Sequence, residues 1–442
     1  MSQPLTLHNR PRQVIDAITR ANASLDAADR DAKYAKLAAS PYRFFRGTNH
    51  LYWDDVWHDW RVALFGGTPE TQTWLQGDAH AYNFGAYGHH DDRVRYGMDD
   101  FDDALIGDYQ YDVWRLAISV VLDARENVGL SAKATRKAVA TLLAHYQAEL
   151  ARHREGEIPE AVNLDTAKGV LKGFLGDVAA KNSRARMLGK WTRRDGEGRR
   201  FADRPNKLAG LPADKASQLR KAVETEYPQT LSGGAANQGA AHFRVKDMAR
   251  RLNAGTGSLG LERYYVLIEA DEAHGHDDVI LDIKQQTPPE GWRLMDRAEK
   301  RAWRAAFPHE GIRHAAAFQA IAEHPDPYLG WLHLGETVFS VRERSPFKAD
   351  YPTHKIDAGK PYRKLVRQWG RILAREHLRG SRSLNPDDPG RFARHVCQTL
   401  EGRLDAFTDL VTTLAMRYTD CVAQDHRTFV KAHNAGLSDP AS

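Results

Sequence analysis

Apolar positions recur every three or four residues over most of this chain and every second residue in one stretch of its middle. The first rhythm predicts helices and the second predicts strands. Residues 10–39 set Ala and Leu between charges and read as helical, and "NHLYWDDVWHDWRVAL" (49–64) reads as an aromatic amphipathic helix. Short strands are expected at "TWLQG" (73–77) and "RVRYGM" (93–98). From Tyr109 to about Arg154 the pattern is helical again, and "YDVWRLAISVVL" is apolar at nearly every turn, which predicts a buried helix. Residues 155–237 carry a weaker pattern. Within them "RARMLGKWTRRDGEGRRFADRP" (184–205) reads as a basic, solvated surface loop with short helices. "LSGGAANQGAAHF" (231–243) reads as a linker.

Beyond it, "ERYYVLIEA" (262–270) and "DVILDIKQQ" (278–286) are strands by their β-branched and aromatic content, joined by the polar "DEAHGHD". A helical piece (295–322), a hairpin at "YLGWLHLGETVFSVRER" (328–344) and helices from Pro361 onward complete the chain. The fold class is therefore α+β, with helical parts at 1–237 and 348–442 flanking a β-rich part at 238–347. No internal repeat is visible.

Composition narrows the class. The 442 residues, 42% of them hydrophobic, suffice for two or three domains or one two-lobed enzyme. A mean hydropathy of −0.60 is ordinary for a soluble protein. A formal charge of +5 and a pI near 9.0 suit a protein that handles phosphates. The charges alternate in sign, with no basic arm or stripe that demands nucleic acid. Cys397 and Cys421 are too few for a disulfide framework or a structural zinc site and fit a reducing cytoplasm. The N-terminus has no apolar signal core, and residues 113–124, the longest apolar run, are too short and charged for a bilayer. A cytoplasmic protein is expected, with no membrane partner.

Three stretches carry candidate chemistry. "GDAHAYN" places Asp78, His80 and Asn83 in a loop, and "MDDFDDA" follows with Asp99, Asp100, Asp102 and Asp103. Phosphoryl transfer needs a carboxylate beside the accepting hydroxyl, an Asn and an Asp that hold metal ions. Kinase catalytic loops set the Asn five residues after the base, as Asn83 follows Asp78, and the metal Asp precedes a Phe, as Asp100 does. Solvated turns also collect Gly, Asp and Asn, so neither motif decides alone. "AGTGSLG" gives Gly255, Gly257, Ser258 and Gly260 before a strand, the wrong context for dinucleotide binding but the right one for a kinase phosphate loop. Lys284, in "LDIKQQ" on the next strand, matches the lysine that grips α- and β-phosphates. Asp78-x-His80 also mimics part of a metallophosphoesterase signature, but further His/Asp motifs in that order are missing. His80 is expected to orient its loop by hydrogen bonding, and His89 and His90 to be solvated turn residues.

"GDAHAYN…DDFDDALIGDYQYDVWRLA" resembles the G-D-x-H-x-x-N … D-F/W-x-x-A pattern of aminoglycoside and choline phosphotransferases, which have a protein-kinase-like fold. More closely, "SPYRFFRG" (40–47), "GDAHAYNFG", "DDFDDA", "GTGSLG", "ILDIKQ" and "REHLRGS" (375–381) resemble the bacterial family catalogued as domain of unknown function 2252, over roughly residues 35–435. The order is displaced from that of ordinary kinases. The catalytic loop comes first, the glycine loop and Lys284 more than a hundred residues later, and "QWGRILAREHLRGS" (368–381), similar to the helix that normally precedes the catalytic loop, comes last. A circular permutation accounts for all three displacements.

The resemblance implies a two-lobed, circularly permuted kinase-like fold. Residues 1–237 and 348–442 would form the helical lobe and 238–347 the small antiparallel-sheet lobe. It implies ATP and Mg²⁺ as cofactors and phosphoryl transfer to a hydroxyl acceptor that the sequence does not identify. Asp78 would be the catalytic base, supported by His80, with Asn83 and Asp100 as metal ligands. Gly255, Gly257, Ser258 and Gly260 would cover the phosphates that Lys284 grips. "SVRERSPF" (340–347), with Arg342 and Arg344, would be the hinge that binds adenine. Asp112 would stabilise the catalytic loop, and Arg46 matches the pattern as a phosphate contact. Two departures stand out: Gln76 replaces the usual His before Gly-Asp, and "HEGIRHAAAFQAI" has Ala where a Glu should pair with Lys284, leaving Glu310 as the nearest substitute. A nucleotide-binding scaffold without turnover, or an AMP transferase, would share the same fold.

Overall fold

The alternating stretch in the middle of the chain forms a six-stranded antiparallel sheet. Its spatial order is Gly330–Leu334, Thr337–Glu343, Val279–Gln285, Arg263–Ile268, Val245–Arg251 and Leu208–Ala209. In this computed structural model the described residues are 9–437, apart from 90, 92, 156, 157, 159, 197, 232, 254, 256–258, 270–277 and 357. The connection "DEAHGHD" lies outside them. Period-two alternation splits the sheet residues cleanly between two faces. Tyr264, Val266, Leu281, Ile283, Phe339 and Val341 pack against Leu219, Val223, Tyr227 and Phe243. On the opposite face Tyr265, Leu267 and Ile280 meet Met187, Leu188, Trp191 and Phe201. Farther along that second face the pattern turns polar, with Lys284, Asp282, Arg263 and Arg342 in register.

Three local expectations are corrected here. The stretch 184–205 is not a solvated loop: it forms the helix Arg184–Trp191 and a hairpin of Thr192–Asp195 with Gly198–Phe201. Its apolar residues, spaced among the arginines, cover the end of the sheet, while Arg193, Arg194 and Arg200 stay exposed. The glycine-rich 231–243 is not a linker either. Ala235 and Phe243 are buried in the sheet's core, and buried His242 bonds Tyr328 Oη (2.9 Å). The sheet also takes an edge strand and core side chains from chain ahead of residue 238. Finally, 49–64 is broken. The helix Asn49–Val56 stops because His58 adopts φ +64° and Asp59 caps a new 3₁₀ turn, Trp60–Leu64, through Arg61 N (2.9 Å).

The remaining core is helical. Gln110–Glu126 is buried along nearly its whole length, as its apolar run predicts. Around it pack Ala132–Arg152, Gly359–Leu384 and Leu404–Asn434. Gly370 permits the close crossing of Gly359–Leu384 on Ala132–Arg152, since a Cβ there would lie 2.4 Å from Leu142 O. Burial of large side chains such as Trp114 and Trp369 contributes ~1.5–3 kcal/mol each. Helices and antiparallel sheets together make the fold α+β. No helix among the described residues is long and apolar enough to cross a membrane.

Candidate functional site

Two loops meet because the strands beside them pair. Gln72–Leu75 pairs with Leu105–Asp108, and Phe84–Tyr87 pairs with Arg95–Met98. The loop 76–83 runs from the first pair to the second, and the loop 99–104 returns. Asp99 N donates to Asn83 O (3.3 Å), and Gln76 Nε2 donates to Asp100 O (2.5 Å). Gly77 turns the first loop at φ +80°, with Asp103 O only 1.9 Å from where a Cβ would be. Its carbonyl accepts from Asn49 Nδ2 and Trp53 Nε1, both at 3.1 Å.

Asp112 anchors this loop from behind. Its carboxylate accepts from Gln76 N (2.6 Å) and Gly77 N (3.0 Å). His377 Nε2 donates to the same carboxylate (3.3 Å) and its Nδ1 accepts from Tyr146 Oη (2.7 Å). Thr73 Oγ1 also donates to His377 O (2.7 Å). The "REHLRGS" helix thus abuts the "GDAHAYN" loop across some three hundred residues of sequence.

Asp78 is held by Arg115, whose Nε donates at 2.7 Å and whose Nη2 donates to the same oxygen. Arg115 sits wholly buried in the helix Gln110–Glu126, its guanidinium over the rings of Phe45 (4.3 Å) and Tyr52 (5.0 Å). Burial pushes the Asp78 carboxyl up to about 7 against the pull of Arg115, with Asp103 and Asp100 adding to the rise. Buried His80 accepts from Arg46 Nε (3.4 Å) and stands 3.5 Å from Asp78 Oδ2. Burial and the two nearby guanidinium groups keep its imidazole neutral. Asn83 Nδ2 donates to Asp78 O (2.9 Å), so its amide offers an incoming group its oxygen.

The acidic run divides its work. Phe101 is buried edge-on against Phe318 (4.8 Å). Asp102 pairs with Lys284 and accepts from Gln286 Nε2 (2.9 Å). Burial opposes its ionisation most strongly, but Lys284, His314 and the contact with Asp100 together outweigh it and hold Asp102 well below the usual carboxylate range. Asp103 accepts from Asn49 Nδ2 and Glu290 N, each at 3.1 Å. Asp99 pairs with Lys348 (2.9 Å). Burial, reinforced by Asp102, raises the Asp100 carboxyl.

One cavity of about 210 Å³ brings together Arg46, Asp78, His80, Asn83, Asp100, Gly255 and Lys284. Gly260 borders the adjoining hollow beside Lys284, with Leu25 against it. Gly257 and Ser258 lie outside the described residues. Arg342 and Arg344 are elsewhere. They line a second cavity of about 160 Å³, Arg342 donating to Asp99 O (2.9 Å) and Arg344 stacked on Trp191 (4.7 Å). Glu310 is not the partner of Lys284; it pairs with Arg304 and Arg313, both at 2.7 Å. Arg313 requires it, being fully buried where it donates to Phe101 O (3.3 Å) and Ala104 O (3.2 Å). His89 is buried rather than solvated; His90 lies outside the described residues.

Sequence reasoning missed Arg115 and Lys33, and it noticed Asp102 without giving it the pairing with Lys284. An Arg inside the otherwise apolar "YDVWRLAISVVL" was a signal for the first, since buried guanidinium needs a carboxylate. Lys33 lines the same cavity from the helix Ala27–Ala38, whose Lys36 Nζ donates to Gly255 O (2.9 Å).

The family described as "Uncharacterized protein conserved in bacteria (DUF2252)" matches residues 26–432, and the chain belongs to it. No curated protein and no solved structure matches the chain.

Proposed function

We propose that this DUF2252 protein is an ATP-dependent phosphotransferase with a circularly permuted kinase-like fold, acting on a hydroxyl acceptor. One observation supports the reading above all others. Lys284, on the second strand after the glycine turn, pairs with the acidic loop and shares a cavity with Asp78, Asn83 and Asp100. These are the residue types that phosphoryl transfer uses for positioning and charge stabilisation. The donor set suits a hard divalent cation: an amide oxygen from Asn83 and a carboxylate from Asp100, set among like charges that a cation would offset. Mg²⁺ held by these two residues would neutralise charge on the β- and γ-phosphates.

The rest falls to the chain itself. Asp78 would orient the acceptor hydroxyl, with Arg115 fixing its Oδ1 and leaving Oδ2 toward His80. Lys284 would exchange Asp102 for the α- and β-phosphates, and Arg46 would contact phosphate oxygen from the other wall. The backbone of 340–347 would hold the base. Circular permutation rests on the placement of the Gly359–Leu384 helix behind the loop that precedes it in sequence.

A nucleotide-binding scaffold without turnover has one observation in its favour: the carboxylate that pairs with Lys284 lies on the acidic loop and not on a helix. Calorimetry of ATP with and without Mg²⁺, on wild type, Asp100→Ala and Lys284→Ala, tests both readings. Micromolar, Mg²⁺-dependent binding weakened by each substitution is expected. No binding of any nucleotide would overturn both. Following label from the γ- or the α-phosphate into product then separates phosphoryl from AMP transfer, and no transfer of either leaves the scaffold.

A further inference from the structure

A second group of buried polar side chains gathers where the strand Thr337–Glu343 ends. One ring nitrogen of His89 and one carboxylate oxygen each of Asp326 and Glu343 lie within 4.8 Å of one another. All three residues are more than nine-tenths buried, at 8%, 2% and 4% exposure. They arrive from separate places: the turn after Phe84–Tyr87, the loop before Gly330–Leu334, and the last residue of Thr337–Glu343. Such convergence is not a consequence of local chain geometry.

The imidazole is the telling member. Neither nitrogen of His89 has a hydrogen-bond partner. A buried polar group left so costs ~1–3 kcal/mol, while a water-exposed turn would cost nothing. A neutral imidazole carries one lone pair that a cation can accept. The carboxylates have partners that leave coordinating capacity, because each oxygen carries two lone pairs. Asp326 accepts from Tyr328 N (2.8 Å) and Glu343 N (2.7 Å). Arg184 Nη2 stands 2.6 Å from Glu343 Oε1 and offsets part of the negative charge. The group opens on the 160 Å³ cavity, which supplies both an entry path and room for water.

We propose that His89, Asp326 and Glu343 form a binding site for a divalent transition-metal cation of the Zn²⁺ class, with water from the cavity completing its shell. One imidazole nitrogen with two carboxylates suits such an ion, whereas Mg²⁺ and Ca²⁺ take oxygen donors throughout. The nitrogen therefore separates this site chemically from the oxygen pair of Asn83 and Asp100. The cation and the Arg184 guanidinium compete for Glu343. Once bound, the ion ties the turn after Tyr87 to the base of the 340–347 segment, whatever that segment binds.

Titration calorimetry of Zn²⁺ into the metal-stripped full chain tests this, on wild type, Asp100→Ala, His89→Ala and Arg184→Met. One equivalent is expected in wild type and unchanged in Asp100→Ala. Affinity should fall at least ~10-fold in His89→Ala and rise in Arg184→Met. Should His89→Ala fail to fold, Arg184→Met decides alone, because it removes the competitor and keeps every ligand. Absent binding in wild type, or the same affinity in folded His89→Ala or in Arg184→Met, would overturn the proposal.

Discussion

Lys284 and Asp102 form an ion pair across 182 positions of sequence, joining the sheet to the loop that carries Asp100. The pair is 13% and 24% exposed, so its worth lies between that of a surface pair and a buried one. Lys284→Met leaves Asp102 uncompensated and should cost about 1–3 kcal/mol. Asp102→Asn in the Lys284→Met background should recover part of that. Urea denaturation of the four proteins in this cycle measures the coupling; strict additivity would mean the pair holds nothing together.

Asp112 satisfies two consecutive backbone amides and one imidazole in a site closed to water. Asp112→Ala strands Gln76 N and Gly77 N, and the expected loss is about 2–5 kcal/mol. Asp112→Asn keeps one acceptor oxygen and should lose less. Thermal melts of both variants check the ranking.

Gly77 and Gly129 have similar positive φ, +80° and +70°, but different surroundings. A Cβ at 77 meets backbone oxygen at 1.9 Å, whereas at 129 nothing lies within 4 Å. Gly129→Ala should therefore cost only the conformational term, ~1 kcal/mol. Gly77→Ala should cost more than ~3 kcal/mol and push the two loops apart. A melting comparison that finds the two equally mild would contradict the close approach described here.

Glu376 supplies a pH signature. Burial, with Asp112 and Glu323 adding to it, pushes its carboxyl up to about 8, against Arg379 and the amide of Met98 (3.3 Å). Between the ordinary value near 4.5 and about 8, the folded protein keeps a proton that the unfolded chain has released. Stability therefore falls as pH rises through that window. Glu376→Gln keeps the acceptor for Met98 N and has no proton to lose. Its melting temperature should match wild type near pH 5 and exceed it by several degrees near pH 9, on the order of a few kcal/mol. An equal slope in both proteins would show Glu376 ionised in the fold, under the influence of Arg379.

Elements were legible wherever one face of a helix or strand meets the core, because that pattern is local. The sheet strands at 263–268 and 279–285, the buried helix at 110–126 and the hairpin at 330–343 all follow from it, whereas the strands Val245–Arg251 and Leu208–Ala209 were not read. The errors arose where an apolar residue is spaced by charges, as Met187, Leu188 and Trp191 are among arginines, or where glycine and alanine pack despite their turn-like composition, as at 234–243. Spacing brought Asp78, Asn83, Asp100 and Lys284 to notice, and they do line one cavity. It could not pair them. Whether Lys284 meets Asp102 or Glu310 depends on Arg313, which claims Glu310, and nothing in the local sequence of either acid records that claim. His89 shows the same limit: its burial comes from chain more than two hundred residues away, around Asp326 and Glu343.

The placement of His377 also has a bearing on the chain's birth. The ribosome delivers Asp112 265 residues before the histidine that braces it. At ordinary elongation rates that is on the order of 15–50 s. Throughout that interval Asp112 holds the nascent loop of Gln76 to Asn83 without the imidazole that braces it. Premature termination between Lys284 and His377 would thus release a chain that carries Asp78, Asn83, Asp100 and Lys284 but lacks the imidazole that braces Asp112.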